Sequence, residues 1–481
     1  MPSTAAKKGT AVFLAVILLP TLALGIYGIQ RSLWLDEAWV ANSVLAPSLS
    51  GMFYYPDWLQ STPPLFLLLT RAAVSVSGVS NSAFRVVPLA LALAAITAMT
   101  SVSRRVLSPS FAALACALLV FNPTTIEYSR TCKQYSGEVA ASALILLCTV
   151  LYLQQPNIRR LYWLIGAFVL MLPLAWSSAF LIPGVAIAVW AHGGIRRAGA
   201  LMLVSTGVLA VLYIAFIRPN LSPELRAYWI ATAQSLSPGL LAALVFCVAA
   251  AVRAVFTRSW IQIAAVLPCL LLAVSDALHW YPSSPRTRLF VLPGFLLVAA
   301  MTAELVGQAF SLSGRRYVGA AVWLITIAVG SQAIWKQITE HQNRPQEDFA
   351  RAVQLLRQRV APTDLLLVHP SVIEGFKLYT AMEGWHDHPA IYGDTGWPCC
   401  ARGRISTSTI SALTDDLDRK VPRGFTGRIW LFYSARHTHW VYVGQDEGQL
   451  WRNHLWDRGC PPGPYLNFEN VVITAMDCPH I

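Results

Sequence analysis

The chain has 481 residues, 55% of them hydrophobic and 12% charged, with a formal net charge of +12 and a mean hydropathy of +0.51. These values exclude an ordinary water-soluble domain and a disordered chain, and leave a polytopic membrane protein with length for a separate soluble domain. The tail from residue 336 carries 15 Lys and Arg against 16 Asp and Glu, so the positive excess belongs to the membrane half. It reports insertion polarity and sites for membrane lipids, not nucleic acid, and no basic stripe with interleaved aromatics suggests a nucleic-acid partner.

A helix needs roughly 20 mostly apolar residues to cross hydrocarbon. Such spans are expected near 11–30, 85–103, 110–122, 137–153, 161–178, 179–191, 199–217, 238–256, 260–278, 288–307 and 317–335, about eleven transmembrane helices in all. The first lacks a small-residue cleavage site and is followed by many others, so it reads as an anchor and not a removable signal. With the N-terminus cytoplasmic, the inner segments receive Lys7/Lys8, Arg104/Arg105, Arg159/Arg160, Arg196/Arg197, Arg253/Arg258 and Arg315/Arg316. Asp36, Glu37, Asp57, Glu127, Glu138, Glu224 and Asp276 fall on or near the outer side, and Glu304 alone sits near an inner end. The expected organisation is a membrane domain over 1–335, with a large first outer loop at 31–84, and an extracytoplasmic α/β domain over 336–481.

The first outer loop opens with Arg31-Ser-Leu-Trp-Leu-Asp-Glu-Ala-Trp39. Adjacent carboxylates at the mouth of a membrane are costly unless water or chemistry requires them; the alternative is a solvated loop. The run 63–78, opened by Pro63 and Pro64, reads as a helix lying in the outer interface, because a spanning helix there would invert every later loop. The second span then begins at Arg85. Glu127, Lys133, Tyr135 and Glu138 form a second polar cluster, with Tyr128, Tyr135 and Glu138 on one face if that loop continues helically into the next span. The competing reading is a structural salt bridge from Lys133 to Glu138 or Glu127. A later outer loop, 279–288, supplies Arg286 and Arg288, whose forked donors suit phosphate but which also fit as snorkelling anchors. Asp276 and His279 read as a local pair.

In the tail, Phe349, Val353, Leu356 and Val360 recur at helical spacing. Leu365–His369, 427–433 and 471–475 read as strands, a helix runs through Tyr379, and 383–426 is loop-rich, which together suggest a small α/β domain. Five cysteines in or beside spans (Cys116, Cys132, Cys148, Cys247, Cys269) read as packing residues. Cys399 and Cys400 are expected to pair each with Cys460 or Cys478. His386-Asp-His388 and His437-Thr-His439 raise a metal reading, but the pairs sit in different loops and the spacing also occurs on exposed strands. A divalent metal is possible and not indicated.

Leu33-Trp-Leu-Asp-Glu-Ala, Gln60-Ser-Thr-Pro-Pro-Leu-Phe and Phe84-Arg-Val-Val-Pro together resemble the first outer loop of GT-C glycosyltransferases. The likeness is to the family-39-like, polyprenyl-phosphate-sugar-dependent group that includes protein O-mannosyltransferases and aminoarabinose transferases. Lys133-Gln-Tyr-Ser, Tyr281-Pro-Ser-Ser-Pro-Arg-Thr-Arg-Leu, Glu347-Asp-Phe-Ala-Arg and Thr363-Asp-Leu-Leu-Leu-Val resemble later motifs of that group. The resemblance implies inverting transfer of a hexose or pentose from a polyprenyl-phosphate sugar to a glycan, lipid or protein acceptor at the outer face. It carries the catalytic acid onto Asp36, a substrate-binding acid onto Glu37 and the family's arginine onto Arg85. The mannosyltransferases' His and Lys around the Pro-Pro pair are absent from Thr62-Pro-Pro-Leu-Phe-Leu, and Thr131 stands where many relatives carry Glu. Rival readings are a transporter or flippase of lipid-linked glycans, which would place polar residues and broken helices at mid-bilayer depth, and a non-catalytic membrane sensor.

Overall fold

The computed structural model describes residues 25–57, 62–221, 238–281, 284–309, 346–395, 409–435 and 446–479, with single positions at 19, 22, 23, 328 and 332. The span expected at 317–335, most of that at 11–30, and Cys399, Cys400, His437 and His439 lie outside the described residues.

The stretch 31–84, expected as the first outer loop, is largely helical among its described residues. Helices α1 (Leu35–Leu45), α2 (Leu49–Phe53) and α3 (Pro64–Ser77) occupy it. Helix α3 starts as the proline pair dictates, with Pro63 at the N-cap and Pro64 at the first position. Helix α4 (Asn81–Val106) starts one turn earlier than expected, capped by the Ser80 hydroxyl, and ends on Arg104 and Arg105, where cations complement the helix dipole.

Helices α5 (Pro109–Val120) and α6 (Pro123–Ser129) meet at a 58° bend. The break is written in Asn122-Pro123: the Asn122 side chain accepts from the Thr124 and Thr125 N–H groups, and Pro123 opens the second helix. Helix α7 (Tyr135–Gln154) follows a non-helical stretch, so Tyr128 and Tyr135 do not share one continuous helix face. Helix α8 (Ile158–Met171) stops two residues before Pro173, shorter than the expected span at 161–178. Helices α9 (Leu181–Gly193), α10 (Ile195–Leu212), α11 (Pro238–Thr257), α12 (Trp260–Ala277) and α13 (Leu292–Ala309) complete the membrane half.

Among the described residues six helical stretches are long and apolar enough to cross a membrane, and a seventh if α5 and α6 count as one broken span. The chain is an integral, multi-pass membrane protein, mainly helical. Two of the expected eleven spans, 11–30 and 317–335, lie mostly outside the described residues, and among the others several apolar runs form short or bent helices. The bundle centres on α4 and α7, which pack through small residues: Ala92, Ala95, Ala140 and Ala141 are all buried.

The C-terminal region holds α14 (Phe349–Arg359), β1 (Leu365–Val368), α15 (Ile373–Met382), β2 (Ala390–Tyr392), α16 (Ile410–Lys420), β3 (Gly427–Ser434), α17 (Glu447–Asp457), β4 (Pro462–Phe468) and β5 (Val471–Cys478). The sheet order is β2-β1-β3-β5-β4. β1 pairs in parallel with β2 and β3, while β5 runs antiparallel to both β3 and β4. The described part of the loop-rich stretch 383–426 contains β2 and α16. Cys460 and Cys478 bond to each other, not to Cys399 or Cys400. The reason is register: Pro462 pairs with Met476, so the residues two positions outward on each strand face one another, with Cα atoms 4.2 Å apart. Helix α15 packs against α1, which joins the sheet domain to the stretch 31–84.

Candidate functional site

The sequence segment that folds into α1 places Asp36 and Glu37 in its first turn, where the helix dipole favours negative charge. Their environments differ sharply. Glu37 is completely buried. Its Oε1 accepts from Arg85 Nε at 2.8 Å and the Cys132 N–H at 2.6 Å, and its Oε2 accepts from Arg85 Nη2 at 2.6 Å and the Trp34 N–H at 3.4 Å. Arg85, also fully buried on the first turns of α4, donates further to the carbonyls of Ile29 at 3.0 Å, Arg31 at 2.5 Å and Ser32 at 3.2 Å. The pair satisfies its own lone pairs and protons, as a buried ion pair must, and locks the strand before α1 to α4.

Asp36 faces the other way. Its side chain is 17% exposed and lies 3.0 Å from the Arg286 guanidinium, which is 38% exposed. Arg286 reaches it from the loop before α13 and sits over the Tyr135 ring at 6.0 Å. Tyr128 and Tyr135 meet edge to face at 4.6 Å. Tyr135 lies within electrostatic reach of Arg286, Asp36 and Glu138. Glu138 is buried one turn along α7 beside Ser177, and its Oε2 has no hydrogen-bond partner among the described residues. The structure thus brings Asp36, Arg286, Tyr135 and Glu138 into one cluster.

The remaining candidates stand around it. Glu127 pairs with Arg31 at 2.5 Å and Arg130 at 3.3 Å, two arginines that sequence reasoning did not select. The Lys133 ammonium lies over the Trp39 ring of α1 at 4.4 Å. Arg288 lies 3.8 Å from Asp276, whose carbonyl also accepts the His279 N–H at 3.0 Å, so the local Asp276–His279 pair is present with an arginine beside it. Arg288 also lines a cavity of about 230 Å³, together with polar Asn122 and Thr124 and apolar Val291, Leu292 and Phe295. His388 is packed among Phe376, Trp385 and Tyr392, and no group of three metal-ligating side chains occurs among the described residues.

The C-terminal domain supplies residues that the motifs did not mark as functional. Tyr379 accepts the Leu33 N–H at 2.7 Å, and Glu347 accepts the Leu35 N–H at 2.9 Å. Glu374 accepts from Asn42 and from Tyr55, both at 2.9 Å. These bonds bridge more than 300 positions in sequence, and the only local signal was Glu347's place at the head of an amphipathic helix.

No protein-family model matches the chain, and no curated protein sequence does. Solved structures do match. ArnT from Cupriavidus metallidurans bound to undecaprenyl phosphate aligns over 98% of both chains with a TM-score of 0.55 and 13% identity. The apo state of that protein aligns over 98% of both chains with a TM-score of 0.54 and 14% identity. An oligosaccharyltransferase from Archaeoglobus fulgidus gives a TM-score of 0.47 at 11% identity, over 79% of this chain and 64% of that one. The chain shares the fold of ArnT, a GT-C glycosyltransferase, along its whole length.

Proposed function

We propose that the chain is a membrane glycosyltransferase that moves a sugar from a polyprenyl-phosphate carrier to an acceptor at the extracytoplasmic face, with inversion at the anomeric carbon. The observation that carries this reading is the half-open Asp36–Arg286 pair at the head of α1. The acceptor hydroxyl or amine attacks the anomeric carbon, the bond from that carbon to the phosphate oxygen breaks, and Asp36 takes the acceptor's proton. The leaving polyprenyl phosphate takes the electron pair of the broken bond and needs cations. Arg286, 3.0 Å from Asp36, is placed to supply one; a forked guanidinium can release the Asp36 carboxylate and turn to phosphate as the donor enters. The cavity beside Arg288, lined by both polar and apolar side chains, suits a phosphate attached to a hydrocarbon chain. Glu138 and Tyr135 are then placed to meet the sugar. Glu37 and Arg85, sealed from solvent, hold α1 in place and touch neither substrate. The domain after residue 336 covers this face from the extracytoplasmic side.

A labelled polyprenyl-phosphate sugar, incubated with the purified protein and an envelope extract, tests the reading. Label should leave the lipid for an acceptor, and Asp36→Asn should reduce that transfer by about 100-fold or more. Full activity in Asp36→Asn would remove Asp36 from the mechanism.

A further inference from the structure

Helix α1 is only partly capped by its own residues. Its N-cap residue, Trp34, carries no side-chain acceptor, and the first N–H groups of any helix lack intrahelical partners. Glu37 reaches back to the Trp34 N–H, but the N–H of Leu35 is received by Glu347, from the far end of the chain, at 2.9 Å. Glu347 is fully buried, and burying a carboxylate is costly unless its oxygens are hydrogen-bonded. Here both are used: Oε2 takes the helix N–H, and Oε1 accepts from the Ser434 hydroxyl at the end of β3. The anchorage continues inward, from the Ser434 N–H to Ser371 Oγ at 3.3 Å and from Ser371 to His369 Nδ1 at 2.8 Å, with Glu447 facing His369 Nε2 at 3.2 Å.

We infer that Glu347 is a positioning residue: it caps α1 from the C-terminal domain and thereby sets where Asp36 stands against Arg286. The inference rests on the reading of Asp36 as the reacting carboxylate. Two neighbouring bonds act in the same direction, Leu33 N–H to Tyr379 and Ala350 N–H to Ser32 Oγ. The residues leading into Asp36 are thus gripped on one side by Arg85 and on the other by the C-terminal domain. A carboxylate at this point also complements the helix dipole. The C-terminal domain is, on this view, part of the machinery that shapes the reacting helix as well as a cover over it.

The test uses the full chain in lipid nanodiscs and reads amide hydrogen exchange together with sugar transfer. Glu347→Ala should raise exchange at residues 35–38 about 10-fold while leaving α4 unchanged. It should lower turnover about 100-fold, as misplacement of a reacting group does, and leave donor KM within about twofold. Glu347→Gln, whose amide oxygen still accepts the Leu35 N–H, should recover most of both. Where Glu347→Ala does not fold, Ser434→Ala, which frees Glu347 from behind, should shift both readouts the same way by about threefold. Unchanged protection at 35–38 in whichever variant folds, or a turnover loss that glutamine does not restore, would overturn the role. A wild-type protein that transfers no sugar would instead sink the reading of Asp36, and the exchange at 35–38 would still decide the cap.

Discussion

Asp36 and Glu37 are neighbours in sequence and opposites in surroundings. The inner pair, Glu37 with Arg85, has both side chains at 0% exposure and a contact of 2.6 Å. The outer pair, Asp36 with Arg286, is 17% and 38% exposed at 3.0 Å. An enclosed ion pair with every lone pair spoken for has no capacity left for a substrate, and its worth is structural. A partly open pair can be reached by an incoming ligand. A single step along the helix thus separates an enclosed carboxylate from a partly open one, and on the proposed function burial assigns the structural part to Glu37 and the reactive part to Asp36.

The comparison breaks if the two positions respond alike to the loss of one charge. Asp36→Asn should lower turnover by roughly 10²- to 10⁴-fold while changing stability by less than about 0.5 kcal/mol. Glu37→Gln should do the reverse. It leaves Arg85 as an uncompensated buried charge and should destabilise the membrane half by about 3–5 kcal/mol, seen as a lower melting temperature in detergent and a reduced yield of folded protein. The activity remaining per folded Glu37→Gln molecule should exceed that of Asp36→Asn. The opposite ranking would assign the reactive part to Glu37.

The two outer arginines sharpen the same contrast at smaller amplitude. Arg286 touches the Asp36 carboxylate, whereas Arg288 sits against Asp276 beside the cavity it lines. Arg286→Ala should therefore cost turnover, by about 2–3 kcal/mol in activation free energy. Arg288→Ala should raise donor KM about 10-fold, equal to ~1.4 kcal/mol, with turnover little changed. Steady-state kinetics on a short-chain polyprenyl-phosphate donor separates the two, and unchanged donor kinetics in both would mark them as interface anchors.

Much of this architecture is legible in the sequence because apolar runs and proline pairs act locally. The start of α3, the helix 349–359 and the strands β1, β3 and β5 follow from spacing alone. Helix α1 does not, because Leu35, Ala38, Trp39, Val40, Ala41 and Val44 are all buried and leave no polar face to announce a period. Strand β4 was hidden by Pro462-Gly463-Pro464, which reads against a strand; it is tolerated because β4 lies at the sheet edge. Without β4 there is no hairpin, and without the hairpin the Cys460–Cys478 bond cannot be foreseen. At the site, the motif marked Asp36, Glu37 and Arg85 together, but only the three-dimensional packing divides them. The pairings of Glu127 with Arg31 and of Leu35 with Glu347 join residues 96 and 312 positions apart, beyond any local pattern.

A third cluster extends the series further toward solvent and carries the smallest effect. On the sheet domain, Asp418 meets His454 at 2.7 Å and Arg458 at 2.6 Å, with its own side chain 48% exposed. Desolvation pushes its carboxyl up, but the hydrogen bond and charge of His454, with those of Arg458, outweigh it and hold the group below the usual aspartate range. A carboxylate depressed in the folded state adds stability that is present above its unfolded pKa of about 3.9 and is lost as pH falls through the lower folded value. Solvent screening limits that contribution to ~1 kcal/mol or less. Asp418→Asn should accordingly lower the melting temperature only slightly at neutral pH, and the gap from wild type should close as the pH is taken below about 3. It should also shrink in high salt, which screens exposed charges and leaves a buried pair such as Glu37–Arg85 nearly untouched. A large, salt-insensitive loss at Asp418 would show that burial does not rank these three clusters.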